Sequence, residues 1–230
     1  MLMGCSWGVP NYQEITGESP ESHLEFLLKN LGHTVYNCSQ NAGSNMHSLC
    51  RAIDLLDGID ISHPTLDQSR EMIKGCKDLK IDLVIWFHTD PGRDLGIIDN
   101  KNKSISDLIE EICSKTYQSY GSFFEHIKSK IVIIGACADI HPCIDNYIKY
   151  DFLLPSWQQE LIGISTKFFR IESGLKTPTA EDVQLIENTI AVINKMKENK
   201  VLFPDGCHPG KIPHQKLFNR LCEESILIAV

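Results

Sequence analysis

Apolar positions along the chain fall into two alternating textures. Short, nearly unbroken apolar runs at residues 1–3, 34–38, 81–87 and 131–134 are expected as strands, the last two covered on both faces. Between them lie longer stretches with apolar residues three and four apart. Ser19-Pro20 marks the start of one helix, whose stripe is Leu24, Phe26, Leu27 and Leu31 and whose end is Gly32. Asn45 is the expected cap of a second, running through residue 56 to Asp57-Gly58. Further helices are expected over residues 66–79, 104–130 with a break near Gly121, 179–197 and 212–224, and a short strand over 168–171.

Strands alternating with helices imply an α/β fold, with a parallel sheet covered on both faces. No internal repeat, low-complexity tract or linker divides the chain, so residues 1–230 are read as one domain. Ligands in such sheets bind beyond the carboxyl ends of the strands. Ser6, Gly43, Thr89 and Cys137 all follow expected strands, which directs attention to one edge.

The bulk numbers remove several function classes. Hydrophobic residues make up 42% and charged residues 23%, as in ordinary globular proteins. A net charge of −8 disfavours nucleic acid or an anionic membrane as partner. No apolar run approaches a membrane span, and Met1-Leu2-Met3-Gly4 lacks the features of a signal peptide, which gives the expectation of a cytoplasmic protein. Nine cysteines at irregular spacing, with no CxxC pair, are read as reduced and mostly buried thiols.

Four polar blocks carry the candidate chemistry. Gly4-Cys5-Ser6-Trp7-Gly8 sets a serine on a glycine-flanked turn, which is equally a plain strand-to-helix turn. Asn41-Ala42-Gly43-Ser44-Asn45 is a glycine loop at a helix entrance, suited to presenting a backbone N–H or simply to capping the helix. His88-Thr89-Asp90-Pro91-Gly92-Arg93-Asp94 is dense in polar groups; Arg93 either holds an anionic substrate group or pairs with Asp90 or Asp94. Asp205-Gly206-Cys207-His208-Pro209 puts a carboxylate and an imidazole within one turn, where the acid orients the base.

In this order the four blocks resemble the SGNH (GDSL-type) hydrolase family across nearly the whole chain. The resemblance implies a flavodoxin-like three-layer α/β/α sandwich with strand order 2-1-3-4-5. It also implies a serine esterase acting on an O-acylated carbohydrate or other small acyl ester, with no cofactor and no metal. Position by position it makes Ser6 the nucleophile, His208 the base and Asp205 the acid. Oxyanion donors are then the amides of Ser6 and Gly43 with Thr89, and His88, Arg93 and Asn45 border the substrate. Two positions depart from the family pattern: Cys5 replaces its usual aspartate, and Thr89 falls where it has an oxyanion asparagine. Two other readings remain. One is an acyltransferase or ligand-binding protein on the same frame. The other is a metal-dependent hydrolase drawing on Cys5, Cys137, His141, Cys207 and His208, which are zinc-type ligands without a common zinc spacing.

Overall fold

The structure is a computed structural model that describes residues 1–8, 16–19, 21, 23–39, 43–56, 80–97, 103–167 and 179–227. Its centre is a four-stranded parallel sheet of β1 (Leu2–Gly4), β2 (Leu83–His88), β3 (Lys130–Gly135) and β4 (Phe152–Leu154), in that spatial order. Leu2 lies opposite Ile85 across β1 and β2, and Ile85 lies opposite Val132 across β2 and β3. On the outer side of β1 the stretch expected as a strand at residues 34–38 makes one parallel bridge, Asn37 with Leu2. Two backbone bonds hold it there, from the Leu2 N–H to the Tyr36 carbonyl and from the Cys38 N–H to the Leu2 carbonyl, each 2.8 Å.

Successive strand residues point to opposite faces, and each face has its own apolar cluster. Met1, Met3, Val84, Trp86, Ile131 and Ile133 pack with α2 (Asn45–Leu56) and α3 (Ile105–Ile127). Leu2, Ile85, Phe87, Val132, Ile134 and Leu154 pack with α1 (Leu24–Asn30), α4 (Trp157–Ile162), α5 (Ala180–Glu198) and α6 (Lys211–Glu223). The α/β class expected from the alternating pattern is what the chain adopts, in an arrangement compatible with three layers. On the first face Trp86 stacks on Tyr120 with ring centres 3.8 Å apart, a contact worth about 1 kcal/mol beyond its area.

Caps fix the helix ends. Ser104 caps α3, and Thr179 closes a reciprocal capping box with Asp182 at the start of α5. The second Asp182 oxygen accepts from the Ile105 N–H at 3.0 Å, which ties the starts of α5 and α3 together. Helix α6 starts at Gly210, which has no side chain to cap it; Glu18 supplies the acceptor, 2.5 Å from the Lys211 N–H.

Several expectations need correction. Helix α1 starts not at Ser19-Pro20 but after His23, whose ring Nδ1 accepts from the Glu25 N–H. Ser44, not Asn45, supplies the side-chain oxygen at the start of α2, accepting from the His47 N–H at 3.2 Å. Helix α3 runs unbroken through Gly121. A Cβ at that position would lie 2.3 Å from the Tyr147 carbonyl, so glycine admits a close neighbour there rather than ending the helix. The expected helix over 66–79 and strand over 168–171 lie outside the described residues, apart from nothing more than their flanks.

Burial also sets a pH dependence. His23 and His214 pack with ring centres 4.4 Å apart and planes tilted by 49°, and neither is exposed to solvent. Burial lowers His23 to about 4 and His88 to about 3, and burial together with the neighbouring His23 takes His214 well below the usual histidine value. Below pH 6.5 the unfolded chain binds protons that these rings refuse in the folded state, so acidification favours unfolding. His23 and His88 each contribute about 2 kcal/mol to the loss by about pH 5, and His214 acts in the same direction. Asp94 acts in the opposite sense, since burial raises it to about 6, and it offsets about 1 kcal/mol of that loss. Urea titrations at about pH 7.5 and about pH 5 should therefore show the midpoint falling with pH, and His214→Phe should flatten the fall. Equal midpoints at the two pH values would contradict this account.

Candidate functional site

The first block turns over the end of β1 at Gly4. Gly4 has φ +124°, and a Cβ on it would lie 2.1 Å from the Phe87 carbonyl oxygen. Its N–H is held by the Ser48 hydroxyl of α2 at 2.5 Å. Residues Ser6–Gly8 form one turn of 3-10 helix, closed by the Gly8 N–H on the Cys5 carbonyl at 3.0 Å. Ser6 has its backbone in this turn; its side chain lies outside the described atoms. Trp7 is buried with its ring 5.5 Å from Trp157 and 6.0 Å from Phe203. Phe203 stands two residues before Asp205, so the serine turn and the C-terminal block are neighbours.

The C-terminal block is a self-contained device. Asp205 uses one carboxylate oxygen to accept from the Cys207 and His208 N–H groups, at 2.8 and 2.7 Å. The other oxygen lies 2.5 Å from His208 Nδ1. Gly206, at φ +84°, makes the curl possible. Partial burial pushes the Asp205 carboxyl up, but the His208 ring and the two amides together hold it below the usual carboxylate range. With Nδ1–H given to the carboxylate, the neutral ring carries its basic lone pair on Nε2.

Between these blocks the loop after β2 is bound to the start of α2. Asn45 is 1% exposed; its Oδ1 accepts from the Thr89 N–H at 2.9 Å and from the Trp86 indole N–H at 3.3 Å, and its Nδ2 donates to the Thr89 carbonyl. The amide expected to border a substrate is thus occupied in holding Thr89. Asp94 is buried and accepts from the Met46 N–H at 3.3 Å. The Arg93 guanidinium donates to the Gly43 carbonyl at 3.0 Å, so it joins the second and third blocks. Asp94 therefore serves the helix start, while Asp90 accepts from the Gly92 N–H and contributes to the field around Arg93.

His88 is also turned away from the edge. It is 1% exposed, with Nε2 3.2 Å from the Tyr117 hydroxyl, and it packs beside Trp86. That placement makes it a packed strand-end residue. Thr89 is fully buried, and its hydroxyl makes no hydrogen bond among the described residues.

The sequence grouped Cys5 and Cys137 only as candidate metal ligands; the structure pairs them with each other. Cys5 and Cys137 lie with their sulfurs 3.3 Å apart, 132 positions apart in the chain. Burial alone would raise Cys5, but the Cys137 contact, the Arg93 charge and the Trp7 N–H bring it below the usual thiol range. The Cys5 contact and burial raise Cys137 in turn. Burial works against the charge of Arg93, which Cys137, Cys5, Asp90 and Cys207 nonetheless reinforce. Cys207 is exposed, and all the described cysteines are free thiols. His141 uses its ring Nδ1 to accept from the Cys143 N–H. Among the described residues no group of three His, Cys, Asp or Glu side chains is placed to hold a metal ion.

Replacing Asn45 by Ala leaves buried partners on Thr89 and Trp86 without their bonds, and each such group costs about 1–3 kcal/mol. Asn45→Ala should lower stability by about 2–4 kcal/mol, read from the denaturant midpoint. A loss under about 0.5 kcal/mol, the range of an ordinary surface change, would refute the assigned role.

Compared with known proteins, the chain matches no family model, and no curated protein or solved structure matches it.

Proposed function

We propose that the chain is an SGNH-type serine hydrolase that cleaves a small acyl ester, an O-acylated carbohydrate being the favoured class. The observation that carries this reading is the Asp205–His208 pair, 2.5 Å apart on a turn adjoining the Gly4–Gly8 block. In this proposal the fold is the flavodoxin-like sandwich, with the bridged residues at Asn37 as its second strand. The order 2-1-3-4-5 then follows if β2, β3 and β4 count as strands three to five; the Asn37–Leu2 bridge supports it.

Ser6 attacks the ester carbonyl as His208 Nε2 takes its proton. Asp205 steadies the imidazolium, which returns the proton to the departing alcohol. Water then resolves the acyl-enzyme by the same route reversed. The amides of Ser6 and Gly43 receive the oxyanion. The Thr89 hydroxyl, buried and without a hydrogen-bond partner among the described residues, is the third donor in this proposal, and Arg93 supports the site by fixing the Gly43 peptide.

A fluorophosphonate should label Ser6, located by peptide mass spectrometry. Ser6→Ala should remove the label, and His208→Ala should slow labelling by about 10³-fold or more, because nucleophile and base act as one unit. Asp205→Asn should also slow it severely, by favouring the wrong tautomer. p-Nitrophenyl acetate hydrolysis should fall in parallel. Equal hydrolysis by wild type and both alanine variants would end the hydrolase reading.

A further inference from the structure

We propose that Cys5 and Cys137 form a redox-active dithiol at the floor of the candidate site, whose closure to a disulfide turns the site off. The two sulfurs are 3.3 Å apart, each on the segment that follows a strand, β1 and β3, with β2 between them. Both segments are held from behind. The Gly4 N–H is bound by Ser48, and the Cys137 carbonyl accepts from Gln158 of α4 at 3.1 Å. The thiols therefore face each other as a fixed pair. The neighbouring Arg93 guanidinium favours a thiolate on this pair, which is the reactive form.

The chemistry balances with a peroxide as oxidant. The Cys5 thiolate attacks one oxygen of hydrogen peroxide, breaking the O–O bond, to give Cys5 sulfenic acid and hydroxide. The Cys137 sulfur then attacks the Cys5 sulfur; an S–S bond forms, the S–O bond breaks and water leaves with the Cys137 proton. In sum, two thiols and one peroxide give one disulfide and two waters. Cys5 is 0% and Cys137 6% exposed, so a small oxidant suits the site and a bulky disulfide does not. Cys207 is exposed and serves as the internal contrast.

Closure has a mechanical consequence. A disulfide requires about 2.05 Å between sulfurs. The pair must draw together by more than about 1 Å from its present spacing, and Gly4 has no room to follow, with its Cβ position already against the Phe87 carbonyl. The movement falls on the Cys5–Gly8 turn, which carries Ser6 and its N–H. A displacement of that size at a reacting group lowers rate about 10²-fold. This consequence rests on the serine hydrolase reading; formation of the disulfide does not.

The test treats the full chain with hydrogen peroxide, maps peptides without reduction, and measures fluorophosphonate labelling of Ser6 before and after dithiothreitol. The expected result is a linked Cys5–Cys137 peptide, lighter by two hydrogens, with labelling slowed about 100-fold and restored by reduction. Cys137→Ala should abolish the link and the reversible loss, whereas Cys207→Ala should keep the link. Should Cys137→Ala not fold, Cys137→Ser gives the same reading. A map with Cys207 oxidised while Cys5 and Cys137 stay reduced overturns the proposal. So does a linked protein that labels at the unlinked rate. A protein that forms the link but never labels Ser6 when reduced supports the dithiol and sinks the hydrolase reading, so the two failures are separate.

Discussion

The sheet edge depends on how closely β1 approaches β2 at its last residue. The Phe87 carbonyl occupies the space a Gly4 side chain would need, and φ at Gly4 is one that other residues rarely adopt. Gly8 repeats the constraint four residues on, where an added Cβ would fall 2.6 Å from the Ser39 hydroxyl oxygen and 2.9 Å from the Phe87 ring. The two glycines thus lay the turn directly on β2. Their role is steric as much as conformational: they bring the chain down onto Phe87 so that Trp7 reaches Trp157 and Phe203. With the turn pressed against the sheet, Cys5 is placed against Cys137 beyond β2.

Side chains rather than ion pairs bind the loops around this turn. Asn45 acts as a surrogate strand, giving an acceptor and a donor to the backbone of Thr89, just past the last residue of β2. Asp94 accepts from the Met46 N–H and Arg93 donates to the Gly43 carbonyl, so residues 93 and 94 both hold the entrance of α2. In a buried setting each of these bonds matters chiefly because leaving its partner unmade is expensive. Residues that look like a substrate shell in the sequence are, in these positions, the frame that keeps the loops in register.

What the sequence revealed and what it hid divide along the range of the interactions. Strands β2 and β3 were legible because burial on both faces leaves unbroken apolar runs, and α5 because Thr179 and Asp182 form a local capping box. The Asp205–His208 turn was legible for the same reason, since the bonds from the Asp205 carboxylate to Cys207 and His208 lie within four residues. Strand β4 was missed. It has three residues, too few for a period to show, and it is fixed by pairing with β3. The start of α1 was placed too early: Ser19 accepts from the Glu21 N–H, but the α-helix itself begins after His23, whose ring caps it. The bonds Asn45 makes were not legible because its partners are 44 positions away, and for Cys5 and Cys137, 132 positions apart, the sequence pointed to a shared edge but not to direct contact.

The two halves of the candidate site therefore answer to different physics. The imidazole and its carboxylate are oriented by a turn that carries its own instructions, and a change elsewhere in the molecule leaves their mutual geometry intact. The serine turn has no such independence. Its position is the sum of a backbone clash at Gly4, a hydroxyl from α2 and a thiol contact that reaches across β2 to the segment after β3. An adjustment of the sheet edge consequently moves the serine turn against an imidazole that stays in place. Cys5 occupies the position with the most leverage over that movement, because its carbonyl closes the Ser6–Gly8 turn while its sulfur touches Cys137.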